Sequence, residues 1–327
     1  MRFPIHSAGK PALVLAPMEG VTDAPMRALQ AERGAFTFCV SEFLRVCHLV
    51  PPSKVFLRHI PELENGCRTR NGTPVQVQLL GGDPQTLAGA AVHAVALGAH
   101  AIDLNFGCPA PTVNRHDGGA TLLKYPSRIR TIVAAVKSAV PAGIAVSAKL
   151  RLGWDATDPI FQNAEQAALG GADWITIHGR TRMAGYAPPI YWEPIGEVRK
   201  QLAPLPIVAN GDIWTMEDFR RCRDITGCEH FMLGRGALAD PNLPLNAAAE
   251  LGILKSAPGL PLSSEPLAWV PLFDAFSREC ESTPGTIVAR RIKQWTGMAT
   301  RYGQVPWFDR IKRLPDWEAI RAELTAM

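Results

Sequence analysis

Six short polar segments recur along the chain, each just after a run of apolar, largely β-branched residues. They are Pro17-Met18-Glu19-Gly20, Asn105-Phe106-Gly107-Cys108-Pro109, Lys149-Leu150-Arg151, His178-Gly179-Arg180, Asn210-Gly211-Asp212 and Gly234-Arg235-Gly236. Gln78 lies inside a seventh such run. The glycines of the last two segments let backbone N–H groups approach an anion, and Arg235 adds a charge-assisted donor, so a phosphate-bearing ligand suits them. Lys149 and His178, with the amides of Gln78 and Asn105, suit a reduced flavin, which holds negative charge on one edge and both donors and acceptors on its pyrimidine portion. Cys108 is held between Gly107 and Pro109, and would act as a nucleophile when ionised or as a general acid when neutral. No neighbouring cysteine or triad-like pattern favours the nucleophile. Each segment has a plainer reading, because glycines make tight turns, strand-end histidines pack and most cysteines are small buried hydrophobes. Their convergence carries the argument.

The elements that must position these groups read as repeated strand–helix units. Eight strands are expected: Ala12–Ala16, Phe36–Val40, Val75–Leu79, Ala101–Asn105, Ile144–Lys149, Asp173–Ile177, Pro206–Asn210 and Glu229–Leu233. Their mean repeat is about 31 residues, close to a roughly 250-residue (β/α)8 barrel divided by eight. Pro84–Leu97 and Arg128–Val140 carry apolar residues at helical spacing, and Tyr191–Leu202 does so more weakly. The expected fold is α/β, a (β/α)8 TIM barrel over residues 1–255 followed by a small all-helical domain over 256–327. The turn-rich Ser256-Ala257-Pro258-Gly259-Leu260-Pro261 bridges the two, and helices are expected at Pro266–Glu281, Thr286–Thr300 and Trp317–Leu324. Barrel active sites lie at the C-terminal ends of the strands, where all six polar segments fall.

Composition narrows the class. The chain has 327 residues, 47% hydrophobic and 20% charged, which excludes a disordered or fibrous protein. No apolar run reaches the roughly 18 residues of a membrane helix, and Met1–His6 lacks the apolar core of a secretory signal, so a cytoplasmic protein is expected. The seven cysteines are odd in number and contain no Cys-x-x-Cys pair, so neither a disulfide framework nor a metal site is expected.

Taken in order, these residues resemble the flavin-dependent tRNA-dihydrouridine synthases. Ala16-Pro17-Met18-Glu19-Gly20-Val21-Thr22-Asp23, Asp103-Leu104-Asn105-Phe106-Gly107-Cys108-Pro109, Gly118-Gly119-Ala120-Thr121-Leu122-Leu123, Lys149 with Arg151, and the three glycine-bearing strand ends all match. Ser41-Glu42-Phe43-Leu44-Arg45-Val46 and Ala289-Arg290-Arg291-Ile292-Lys293-Gln294-Trp295 resemble the bacterial C-type subgroup, which acts on uridine 16 of the tRNA D-loop. The resemblance implies FMN as cofactor, NADPH as reductant and tRNA as substrate, with hydride delivered to uracil C6 and a proton to C5 from Cys108. It places Pro17, Met18, Glu19, Gln78, Lys149 and His178 on the flavin, and Asn210, Gly211, Asp212, Gly234 and Arg235 on its phosphate. Asn105 and Arg151 would face the uracil, and Arg45, Tyr186, Arg290, Arg291, Lys293 and Met298 would meet the tRNA. A monomer without metal is expected.

Charge agrees with that reading. Residues 286–313 hold Arg290, Arg291, Lys293, Arg301, Arg310, Lys312 and Arg313 against Asp309 alone, interleaved with Trp295, Tyr302, Trp307 and Phe308. That mixture suits phosphate contact with base stacking nearby. Val288, Ile292 and Trp295 share one helical stripe and are expected in the core, leaving Arg290, Arg291 and Lys293 exposed. Other readings stay open: the same chemistry at another D-loop uridine, a flavin barrel acting on a free pyrimidine, or a non-catalytic RNA-binding barrel.

Overall fold

Strands that are apolar on both faces must lie between two layers, which a barrel ringed by helices provides. The computed structural model describes residues 5, 10–115, 117–254, 268–281, 283–300 and 305–327. Its strands are β1 (Ala12–Leu15), β2 (Phe38–Val40), β3 (Leu44–Arg45), β4 (Val75–Leu80), β5 (Ala101–Asn105), β6 (Ala145–Arg151), β7 (Trp174–His178), β8 (Ile207–Asn210) and β9 (His230–Leu233). All pair in parallel. The ring runs β1–β2–β4–β5–β6–β7–β8–β9 and closes on β1, so the expected eight-membered barrel is present, with β3 an extra segment on β4.

Around the ring lie α1 (Ala24–Glu32), α2 (Ser53–His59), α3 (Pro84–Ala96), α4 (Pro111–Asn114), α5 (Pro126–Ala139), α6 (Pro159–Leu169), α7 (Glu193–Gln201), α8 (Met216–Thr226), α9 (Arg235–Ala239) and α10 (Leu243–Glu250). Local signals start several of them. Asp23 accepts the Met26 N–H at the head of α1, Asp83 accepts that of Thr86 before α3, and Thr215 with Asp218 forms a capping box on α8. Left-handed Gly227 ends α8.

The second strand departs from expectation. It starts at Phe38 rather than Phe36, because the Leu13 carbonyl already takes the Thr37 N–H and the Thr37 hydroxyl takes the Leu13 N–H. It then breaks. Val40 pairs with Gln76 and Leu44 with Leu79, so four steps on one strand oppose three on the other. This bulge turns Ser41, Glu42 and Phe43 toward the upper rim. Ser41 still anchors β4, since its hydroxyl accepts the Gln78 N–H at 3.0 Å.

The chain ends in α11 (Trp269–Glu279), α12 (Gly285–Thr300), α13 (Phe308–Ile311) and α14 (Trp317–Thr325). The expected boundary at 255/256, the Ser256–Pro261 bridge and the start of the expected helix at Pro266 lie outside the described residues. These helices do not enclose a core of their own. Trp269, Phe273, Phe276, Trp295 and Trp317 pack in one cluster with Met26 and Leu29 of α1 and with Leu238 and Ala239 of α9. The Trp295 indole N–H donates to the Leu238 carbonyl at 2.7 Å, so its burial leaves no polar atom unpaired. Val288, Ile292 and Trp295 are buried, as the helical stripe predicts.

Candidate active site

Strand register gathers the chemistry. Asn105 lies opposite Lys149, Arg151 opposite His178, and His178 opposite Asn210, all in the last turns of the strands. Above them opens a cavity of about 560 Å³. Of the residues singled out in the sequence, Pro17, Met18, Glu19, Asn105, Cys108, Lys149, Arg151, His178, Tyr186, Asn210, Gly211, Asp212, Gly234, Arg235 and Met298 line it. Met298 comes from α12, so the helical segment forms part of the wall. Phe43, from the bulge, and Trp214 also line it.

The floor is a closed polar network. Gln78 is fully buried beneath the cavity; its amide N–H donates to Asp103 at 2.6 Å and its carbonyl accepts from Asn105 at 2.9 Å. Ser147 donates to the other oxygen of Asp103 and accepts from Gln76 at 2.8 Å. Asn105 in turn accepts the Gly107 N–H at 2.9 Å, so the floor holds the turn that carries Cys108. Both ends of the Gln78 amide are engaged in this network, with a second N–H beyond the one given to Asp103. Asp103 and Ser147 were missed as part of this layer, although they stand two residues before Asn105 and Lys149 and so share their inward face.

Cys108 is partly exposed to the cavity, and burial pushes its thiol up, against weaker opposing effects from the Ala110 N–H and Arg151. It is a neutral thiol at neutral pH. Gly119 (φ +60°) packs on it, and a Cβ there would lie 2.9 Å from Val113 and 3.0 Å from the Cys108 carbonyl oxygen, so the turn admits only glycine. Burial lowers Lys149, with Arg151 acting in the same direction. Its ammonium reaches Asn210 Oδ1 at 3.4 Å. Burial and the surrounding cations hold His178 well below its usual value, so it faces the cavity as neutral imidazole.

Arginines brace the loops. Arg151 is buried and donates to the carbonyls of Gly107, Thr181 and Gly185, tying the Cys108 turn to the Tyr186 loop. It lines the cavity, but these bonds use much of its guanidinium. Asp212 is gripped by Arg180 and, at 3.0 Å, by Arg235, so its carboxylate is neutralised and only its backbone is left for an anion. Arg235 also stacks on Tyr186 at 4.6 Å and on Trp214 at 4.8 Å. Arg180 and Trp214 carry functions that the sequence reading did not assign.

The expected RNA face differs more. Arg290 is exposed, but Arg291 is half-buried, paired with Asp23 and donating to the Val21 carbonyl at 2.7 Å, and Lys293 donates to the Leu314 carbonyl. Arg310 pairs with Glu323 and Lys312 with Asp309. Trp295 is buried, and Trp307 and Phe308 are half-buried against the same core, so the aromatic residues serve packing rather than an open stacking surface. Arg301 and Tyr302 lie outside the described residues. Arg45 donates to the Thr112 carbonyl at 3.3 Å, next to Pro111 of the cavity lining.

One group among the described residues has metal-ligand character: Glu19, Glu42 and His59, whose candidate atoms lie within 4.8 Å of one another. Glu42 is tied instead to the Val21 N–H at 3.0 Å, and His59 to the Phe43 carbonyl at 3.1 Å. Burial and the nearby Glu19 and Asp23 raise Glu42 to about 7.

Comparison with known proteins agrees with this geometry. The family model described as Dihydrouridine synthase (Dus) matches residues 14–267. A tRNA-dihydrouridine(16) synthase of Pseudomonas putida is 44% identical over 294 residues, covering 88% of each chain. One of Neisseria meningitidis is 40% identical over 323 residues, covering 97% of this chain and 95% of the relative. Among solved structures, a 2-naphthoyl-CoA reductase complex superposes with a TM-score of 0.56 at 12% identity over 73% of this chain and 50% of that one, a likeness of fold alone. The ordered strand-end motifs, the family match and relatives that align along nearly the whole length agree: the chain belongs to the dihydrouridine synthase family.

Proposed function

We propose that this enzyme reduces the uridine at position 16 of tRNA to 5,6-dihydrouridine, with FMN as cofactor and NADPH as reductant, acting as a cytoplasmic monomer. The observation that carries the reading is Cys108 in the lining of one cavity with Lys149, His178 and Asn105, all at strand ends. The printed function of the relatives supports the substrate.

The cavity fits a flavin mononucleotide. Arg235 and the Gly211 and Gly234 loops form an anion-seeking end, while Lys149 and Asn105 lie at the floor. A Cβ at Gly211 (φ +118°) would lie 2.8 Å from the His178 ring, so glycine lets the loop close over that histidine. When bound and reduced by NADPH, FMN supplies the hydride for uracil C6. Pro17, Met18, Glu19, Lys149 and His178 would hold its ring, and Asn210, Gly211, Asp212, Gly234 and Arg235 its phosphate. Gln78, held by Asp103 and Asn105, would bond the pyrimidine edge of the ring. Cys108 gives its Sγ proton to C5 as the C5=C6 bond is reduced, and solvent reprotonates the thiolate. Asn105 and Arg151 would orient the uracil, and Arg45, Tyr186, Arg290, Arg291, Lys293 and Met298 would meet the RNA around it.

The test is Cys108→Ala. Loss of a positioned acid costs roughly 10²–10⁴-fold in rate, so the variant should reduce tRNA at least a hundredfold more slowly while flavin absorbance and NADPH oxidation persist. Wild-type reduction rates with flavin bound would refute the role of Cys108.

A further inference from the structure

Arg291 and Lys293 each spend a donor on the fold, so the helical segment alone offers a polyanion few free cations. The upper rim offers a second set. Trp154, in the loop after β6, is half-buried, and Lys124 Nζ lies 3.8 Å from the centroid of its ring while the Arg182 guanidinium lies 4.6 Å away. The loops beneath are fixed: the Arg182 N–H donates to the Gly153 carbonyl at 2.9 Å and the Met183 N–H to the Trp154 carbonyl at 2.8 Å.

Two cations held against one ring repel each other, and a structural pair would recruit a carboxylate. Among the described residues neither Lys124 nor Arg182 stands in an ion pair, and the acids of the same loop, Asp155 and Asp158, form none with them. Lys124 is exposed and Arg182 half-buried, with one guanidinium N–H on Met183 Sδ at 3.3 Å. Two cations fixed on one ring without a carboxylate partner are the chemistry of an anion seat.

Its place in the ring identifies the anion. The helical segment packs on α1 and α9, which follow β1 and β9. Lys124 and Trp154 follow β5 and β6, on the far side of the eight-membered ring. A nucleic acid resting on the helices while a base enters the cavity crosses the mouth toward that rim. We propose that Lys124 and Arg182, positioned by Trp154, hold backbone phosphates of the tRNA on the rim opposite the helical segment. The inference rests on the tRNA reading above.

The experiment measures tRNA affinity against salt concentration for the flavin-loaded wild type, for Lys124→Ala with Arg182→Ala, and for Trp154→Leu. Each lost phosphate contact lowers the slope of log K against log salt by about 0.7–0.9, so the double variant should lose about 1.5 in slope, and at least tenfold in affinity near 0.1 M salt. Trp154→Leu removes no charge, yet should lower the slope as well, because its cations are no longer held. Flavin absorbance and melting temperature check that each variant is folded. An unchanged slope in the double variant, with or without weaker binding, would overturn the seat. A wild type that does not bind tRNA would instead overturn the function it rests on.

Discussion

Glu42→Gln should stabilise the protein, and more so as pH rises. Glu42 is 7% exposed in the bulge after β2, one oxygen accepting the Val21 N–H, with Glu19 and Asp23 as acidic neighbours. Burial and these neighbours raise it from the ordinary 4.5 to about 7. A carboxyl raised on folding makes the native state bind more protons than the unfolded chain between those values, so stability falls as pH rises through that window. The slope is about 1.4 kcal/mol per pH unit, giving a cost of about 1 kcal/mol at pH 5 that levels off near 3 kcal/mol above pH 7. Glutamine keeps an acceptor for Val21 and removes the titration. Urea unfolding of wild type and variant across pH 5–9 measures the difference, which should be small at pH 5 and reach a few kcal/mol at pH 8. A gain independent of pH, or a loss at pH 8, would refute the reasoning.

Two further outcomes follow from the same geometry. Arg291→Ala removes the paired bonds to Asp23 and the bond to the Val21 carbonyl, and should cost about 2–4 kcal/mol in urea unfolding, since charge-assisted bonds contribute about 1.5–3 kcal/mol each and are not additive; an effect below half a kcal/mol would mean that the pair does not fasten α12 to the barrel. Gly119→Ala forces a Cβ against Cys108 and Val113 at positive φ, and should slow turnover by tenfold or more while flavin absorbance is retained; unchanged turnover would show that the turn tolerates a shift of the thiol.

Much of the barrel was legible because its strands are buried on both faces and end in polar residues, so all eight expectations fall within two residues of β1, β2 and β4–β9. The break between β2 and β3 was not, since one extra residue in a bulge leaves no mark on apolar patterning. About half of the cavity lining was likewise readable from strand ends. The floor was readable only in part: Gln78 pointed inward as expected, but toward Asp103 and Asn105, and which of two layers an inward residue occupies depends on register between strands. The exposure of the basic segment was least legible. Its charge is real, but Asp23 meets Arg291 from 268 positions away, and Trp307 and Phe308 face a core shared with α1 that local patterning does not encode.

Site-resolved mass spectrometry of unmodified tRNA incubated with the purified enzyme and NADPH tests the central claim most directly. A gain of two hydrogens confined to the uridine at position 16 is the expected result. A gain only at another D-loop uridine would contradict the assigned position, and no gain in any tRNA would contradict uridine reduction itself.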